Sequence, residues 1–209
     1  MKAILTGFEP FGNYRSNPTQ DLALRYHGKK IGDIEVVGLV LPALYYEAFD
    51  ELCSKIDEVN PDIILSTGLA SRARKFRLEL VGMNRMDGKY PDAKGRDPEG
   101  QQTIPGGKDH YEVNSNPNSL ADVLNENGFP AELSVDAEDF ICESLIYLTS
   151  GYIRENGIMV RNAFLHTPWT KDYLGRAKIG SGKITIKKQD LNRAVELLLA
   201  ELGRQADQI

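Results

Sequence analysis

Short apolar runs alternate along the chain with stretches in which apolar residues recur every three to four positions, which is the signature of strands interleaved with helices. Ala3–Thr6 is a buried strand, and the Asn17-Pro18 pair opens a helix through Leu22 and Tyr26 that Gly28 closes. A second strand, Ile34–Leu41, precedes a helix whose inner face is Tyr45, Phe49, Leu52, Cys53 and Ile56; Asn60-Pro61 stops it before a third strand, Asp62–Thr67. From Phe76 the residues alternate, with Phe76, Leu78 and Leu80 on one face and Arg77, Glu79, Val81 and Met83 on the other. A short helix over Asn118–Asn127, a strand over Glu132–Asp136, a helix carrying Ile141, Leu145, Leu148 and Tyr152, and a strand over Met159–Leu165 follow. The last helix shows Leu191, Ala194, Val195, Leu198 and Leu202 on one side. Strand, helix and strand in this order imply right-handed crossovers and a mostly parallel sheet with helices on both faces, an α/β chain.

Composition narrows what such a sheet serves. A length of 209 residues with 41% hydrophobic content suits one substantial core and no linker divides it, so one domain over 1–209 is expected. The net charge of -5 and the absence of basic blocks argue against a nucleic-acid or anionic-membrane partner. The opening apolar run is too short for a signal peptide or a membrane span, so a cytoplasmic location is expected. Cys53 and Cys142 make no disulfide framework, and no Cys or His pair has metal-ligand spacing; neither metal nor cofactor is expected. Residues 87–108 are rich in Gly, Pro and charge, and a loop of that length can serve as a flap over a substrate.

Candidate chemistry centres on Cys142, which falls where a strand gives way to a helix. A thiol in a helix's first turn faces unpaired backbone N–H groups, which favour the thiolate, although an isolated cysteine also serves as a small buried hydrophobe. Cys53, on an apolar stripe, reads as core. Of three histidines, His27 sits at a helix tail and His110 beyond the long loop, both at the surface, whereas His166 follows a strand at the end where α/β sheets form their ligand crevice. Glu79 projects from an extended segment onto a mixed face, as a functional carboxylate or as a solvent-exposed partner of Arg77. Phe8 and Phe11, on the loop after the first strand, either wall a pocket or cover the core.

Taken together, Thr6-Gly7-Phe8-Glu9-Pro10-Phe11-Gly12, Asn17-Pro18, Leu41-Pro42, Gly68-Leu69-Ala70, Glu79 with Asn84, Ile141-Cys142 and Phe164-Leu165-His166-Thr167-Pro168 resemble the type I pyroglutamyl peptidases from end to end. The resemblance implies a three-layer α/β/α sandwich around a mostly parallel, twisted mixed sheet, and a cytoplasmic cysteine peptidase that removes an N-terminal pyroglutamyl residue from peptides. A homo-oligomer, tetramer or dimer, is also implied. Cys142 falls on the nucleophile, His166 on the base and Glu79 on the residue that orients the base. Phe8, Phe11, Phe140 and Ile141 fall where the family lines its ring pocket, and Leu69 and Tyr90 are expected substrate contacts. A thiolate attacks the amide carbonyl, the imidazole protonates the leaving amine, and the carboxylate holds the useful tautomer.

This chain also departs from the family's pattern. Where the family has Ser/Thr-Ala-Gly-Thr before the nucleophile and Asn after it, this chain has Asp136-Ala137-Glu138-Asp139 and Glu143, and negative charge near a thiol disfavours its ionisation. The family's arginine after the glutamate is Leu80, and a later one is Lys89. Two other readings follow from these changes: a cysteine hydrolase of another amide, or a non-catalytic homologue that binds a cyclised N-terminus.

Overall fold

The apolar run at the start of the chain becomes the middle of a longer strand, β1 (Lys2–Phe8), in a computed structural model that describes residues 1–12, 14–86, 91–138, 140–173 and 185–208. Helix α1 (Pro18–Tyr26) follows, with the Asn17 side chain accepting from the Thr19 amide at 3.1 Å and proline in the first turn. Then come β2 (Lys29–Ile31), β3 (Ile34–Leu41), α2 (Glu47–Val59), β4 (Ile63–Leu69), β5 (Phe76–Glu79), β6 (Val81–Met83) and β7 (His110–Glu112). The second half consists of α3 (Pro117–Glu126), β8 (Ala131–Ser134), α4 (Ile141–Glu155), β9 (Arg161–Thr167), β10 (Trp169–Thr170), β11 (Thr185–Ile186) and α5 (Lys188–Ala206). Among the described residues no helix is long and apolar enough to cross a membrane.

Seven strands form one mixed sheet in the order β2-β3-β1-β4-β9-β5-β8. The centre is parallel; β2 runs antiparallel to β3, and β5 runs antiparallel to β9 while pairing in parallel with β8. Both faces are apolar because each is covered, which is why β4 carries buried residues without alternation. Leu22, Leu120, Leu124, Leu198 and Leu202 close one face from α1, α3 and α5, and Leu52, Ile56, Leu145 and Ile153 close the other from α2 and α4. Each such side chain contributes about 1.5–3 kcal/mol on burial. The result is an α/β/α sandwich.

Several local expectations need correction. The run from Phe76 to Met83 is not one strand: it breaks at Leu80, whose amide donates to Ser134 O, and β6 leaves the main sheet to pair with β7. Glu79 lies on no mixed, solvated face; it is 1% exposed, because β5 is inserted between β9 and β8 and covered on both sides. Gly68 and His166 lie inside β4 and β9 rather than beyond their ends. Phe8 likewise closes β1 instead of standing on a loop. Cys53 is half-buried rather than sealed in the core. The short β2, absent from the expected elements, exists because Gly32 takes φ 57 and lets Lys29–Ile31 fold back on β3. Of the long loop, residues 87–90 lie outside the described residues, and the rest is tied down by the Met86–Gln101 bridge and by Asp92.

One close approach is set by glycine. A Cβ on Gly7 would lie 1.8 Å from the Thr19 carbonyl oxygen, so only a bare Cα lets the first turn of α1 seat on β1. Thr19 Oγ1 in turn accepts from the Phe8 amide at 3.0 Å, which fixes where the chain leaves the strand.

Candidate active site

Residue types with reactive chemistry meet at the carboxyl end of the central strands. In the sheet register His166 of β9 stands beside Gly68 of β4 on one side and Arg77 of β5 on the other. The first turn of α4 brings Cys142 over the same point. A Cβ on Gly68 would meet both the Cys142 Sγ at 2.9 Å and the His166 Nε2 at 3.0 Å, so sulfur and imidazole share the space above a single bare Cα. The far ring nitrogen, Nδ1, lies 2.7 Å from Glu79 Oε1. A carboxylate only accepts, so Nδ1 carries a proton and Nε2 is directed at sulfur.

Burial alone would favour the neutral imidazole. Cys142 and the Glu79 carboxylate oppose that and prevail, holding the His166 pKa up at about 10. His166 is 2% exposed, so these interactions act with little screening by water. Cys142 itself is only partly covered and in no disulfide. Phe140, the N-cap of α4, supplies no side-chain acceptor to the helix, so the first-turn N–H groups beside the thiol are not consumed by the cap. Those groups are suited to receive a developing oxyanion.

Among the described residues, Asp136, Glu138 and Glu143, acids that set this chain apart, are each occupied. Glu143 is fully buried and accepts from the amides of Ala137, at 3.0 Å, and Met83, tethering the start of α4 to β6. Asp136 accepts from the Glu138 amide at 2.9 Å. Glu138 stands in the left-handed region at φ 66, a conformation that favours glycine, and its carboxylate takes a 3.2 Å hydrogen bond from Arg77. Asp139 and Lys89 lie outside the described residues.

Of the expected substrate contacts, Phe8, Leu69 and Ile141 are buried, Phe11 and Phe140 are half-buried, and Tyr90 lies outside the described residues. Phe11 and Phe140 have ring centroids 6.1 Å apart, and they extend into a run of rings, Tyr45 against Phe140 at 5.7 Å and Tyr14 against Phe11 at 5.6 Å, that continues to Trp169 at 4.9 Å from Tyr14. Phe8 and Ile141 share one apolar cluster with Phe11 and Phe140, and Leu69 packs with Phe11, Tyr14 and Trp169 in another. Phe11 joins the two. Tyr14, Tyr45, Gly68, Arg77 and Trp169 were not singled out from sequence for roles at this site. They come from separate segments, and only the register of β5 and β4 against β9 would have drawn attention to Arg77 and Gly68.

Comparison with known proteins gives a consistent picture. A sequence profile described as "Pyroglutamyl peptidase" matches residues 1–198. A pyrrolidone-carboxylate peptidase of Pyrococcus furiosus is 31% identical over 208 residues, 97% of this chain and 100% of that protein. One from Halalkalibacterium halodurans is 34% identical over 200 residues, 95% of this chain and 98% of the relative. Among solved structures, the pyrrolidone carboxyl peptidase of Thermococcus litoralis superposes with a TM-score of 0.92 at 27% identity, covering 99% of this chain and 95% of that one.

Proposed function

The chain belongs to the pyroglutamyl peptidase family, and from that premise we propose that Cys142 is its nucleophile, His166 its acid and base, and Glu79 the group that orients the base. The reaction is hydrolysis of the amide bond after an N-terminal pyroglutamyl residue by a cysteine exopeptidase. The Cys142 sulfur, as thiolate, attacks the pyroglutamyl carbonyl, and the carbonyl oxygen takes up the electron pair beside the N–H groups of α4. As the tetrahedral species collapses, the C–N bond breaks and His166 Nε2 gives its proton to the leaving amine. Water, deprotonated by the same nitrogen, then attacks the thioester and releases pyroglutamate and the thiolate.

The pyroglutamyl ring is neutral. Phe11 and Phe140 offer it apolar surface, with Phe8, Leu69 and Ile141 packed behind and beside them. A charged, uncyclised N-terminus would be desolvated there without a counter-charge, which disfavours it. Tyr90 is a further contact in this reading. The whole chain acts as one domain in the cytoplasm, where two free thiols persist. It works as a homo-oligomer, dimer or tetramer, as the family resemblance implies.

The observation that carries this reading is the 2.7 Å contact between His166 and Glu79 on the ring edge away from sulfur. Its test is release of coumarylamine from pyroglutamyl-coumarylamide. Wild type should turn the substrate over and Cys142→Ala should not; equal turnover by both would remove Cys142 from the role.

A further inference from the structure

Arg77 is mostly covered, its side chain 15% exposed, and no role in the chemistry above has been given to it. Its contacts link two parts of the site that are distant in sequence. One nitrogen, Nη2, lies 3.3 Å from Glu79 Oε1, the oxygen that accepts from His166. The same nitrogen donates to Ser134 Oγ at 2.8 Å and to the Asp136 carbonyl, while Nη1 donates to Glu138 Oε1 at 3.2 Å. Ser134 ends β8, and Asp136 and Glu138 form the turn that feeds α4 and Cys142. The backbone of Arg77 is the register partner of His166.

The other oxygen of Glu79, Oε2, is buried without a hydrogen-bond partner. With the carboxylate held through a single oxygen, its rotation about the last side-chain bond is limited by what grips that oxygen. His166 is one such group, and Arg77 is the other. The turn, for its part, contains a non-glycine residue in the left-handed region, which costs about 1–2 kcal/mol and needs anchoring from outside. Arg77 supplies that anchor through three acceptors. Nη2 serves Glu79, Ser134 and Asp136 while Nη1 holds Glu138, and the single nitrogen of an ammonium cannot stand at both places.

We propose that Arg77 is a positioning residue: its guanidinium sets the Glu79 carboxylate against His166 and, at the same time, fixes the 134–138 turn that delivers Cys142. It touches no substrate and moves no proton. The inference rests on the reading of Glu79 as the orienting group, and the experiment separates the two.

Steady-state kinetics on pyroglutamyl-coumarylamide would be measured for wild type, Arg77→Met, Arg77→Lys, Glu79→Gln and the Arg77→Met/Glu79→Gln double variant. Arg77→Met should lower kcat by about 10- to 100-fold with KM changed less than about threefold. Arg77→Lys should be nearly as impaired, since charge without the fork does not position. In the Glu79→Gln background the further loss from Arg77→Met should shrink to about a third or less of its factor in wild type, because the carboxylate to be aligned is gone. A general structural role predicts the same multiplicative loss in both backgrounds, and that result would overturn the proposal, as would full activity of Arg77→Lys. If Arg77→Met does not fold, Glu138→Ala, which removes the acceptor of one arm of the guanidinium, should lower kcat by about 2- to 10-fold at unchanged KM; wild-type kcat there counts against it. Should Glu79→Gln itself keep wild-type kcat, the assignment of Glu79 fails and Arg77 has nothing to align. Should Glu79→Gln be impaired and Arg77→Met not, only the role of Arg77 falls.

Discussion

Gly68 and His166 are register partners on adjacent parallel strands, and the missing side chain of the first is what allows the ring of the second to meet the Cys142 sulfur. Three heavy atoms, the Cys142 Sγ and the His166 Cδ2 at 2.9 Å and Nε2 at 3.0 Å, would crowd any Cβ placed there, so sulfur or ring would have to move.

Gly68→Ala should therefore lower kcat by about 100-fold while leaving most of the fold intact, since a misplacement near 1 Å at the reacting atoms has that effect. Overpacking of this kind costs about 1–3 kcal/mol of stability. Kinetics alongside thermal unfolding check it. Retained kcat would mean that sulfur and ring do not occupy that space together during turnover.

The pH dependence follows from His166. Its pKa is raised in the folded state to about 10 from 6.5, so its contribution to stability is fully present below about 6.5 and is lost as pH rises through about 10. In the proposed mechanism the same proton is the one given to the leaving amine. kcat/KM should accordingly fall on the alkaline side as pH passes about 10, and Glu79→Gln should move that limb to lower pH by removing one of the charges that hold the proton. A limb unmoved by Glu79→Gln would show that the carboxylate does not act on the imidazole.

Asp92 anchors the described part of the long loop. Its buried carboxylate accepts from the amides of Lys94 at 2.9 Å and Arg96 at 3.0 Å and from the Arg96 guanidinium at 2.6 Å. Arg96 and Lys94 also bind Glu47 at the start of α2, and their hydrogen bonds hold the Glu47 carboxyl down at about 2. Asp92→Ala leaves three donors unmet and should cost about 2 kcal/mol, with faster proteolytic cleavage between residues 91 and 101 as the local readout. Unchanged cleavage would show that the loop is held by other contacts.

Glu138 separates backbone from side chain. Relief of the left-handed strain at φ 66 on changing it to glycine is about 1 kcal/mol, and loss of a half-exposed ion pair is about 0–1 kcal/mol, so the two nearly cancel. Glu138→Gly should leave the denaturation midpoint close to wild type. A fall of several degrees would mean that the ion pair with Arg77 carries more than an exposed pair usually does.

Much of the architecture was readable because each sheet-facing residue repeats a pattern. The apolar runs of β1, β3, β4 and β9 and the faces of α2, α4 and α5 correspond to the observed elements within a few residues. What periodicity could not give was pairing. Nothing in the alternation at Phe76–Met83 signals that β5 enters the main sheet antiparallel to β9 while β6 leaves it, and that topology is what buries Glu79. The candidate site was legible through the family motifs around Cys142, His166 and Glu79, not through spacing, since His166 and Glu79 are 87 residues apart. Arg77 read as a solvated partner of Glu79, and its contacts to Ser134, Asp136 and Glu138 depend on a turn whose shape the sequence Asp136-Ala137-Glu138 argues against.

The interleaved order of β4, β9 and β5 has a consequence for how this chain gains its activity. Gly68, His166 and Glu79 come from three strands that are neighbours only after β9, the last of them in chain order, has inserted between β4 and β5, and the thiol arrives on the helix just before it. All four positions lie between residues 68 and 166, but β4 is held in the sheet by β1 at the start of the chain, so turnover during refolding should appear in step with the final global signal, and a truncated or partly assembled sheet should be silent rather than slow.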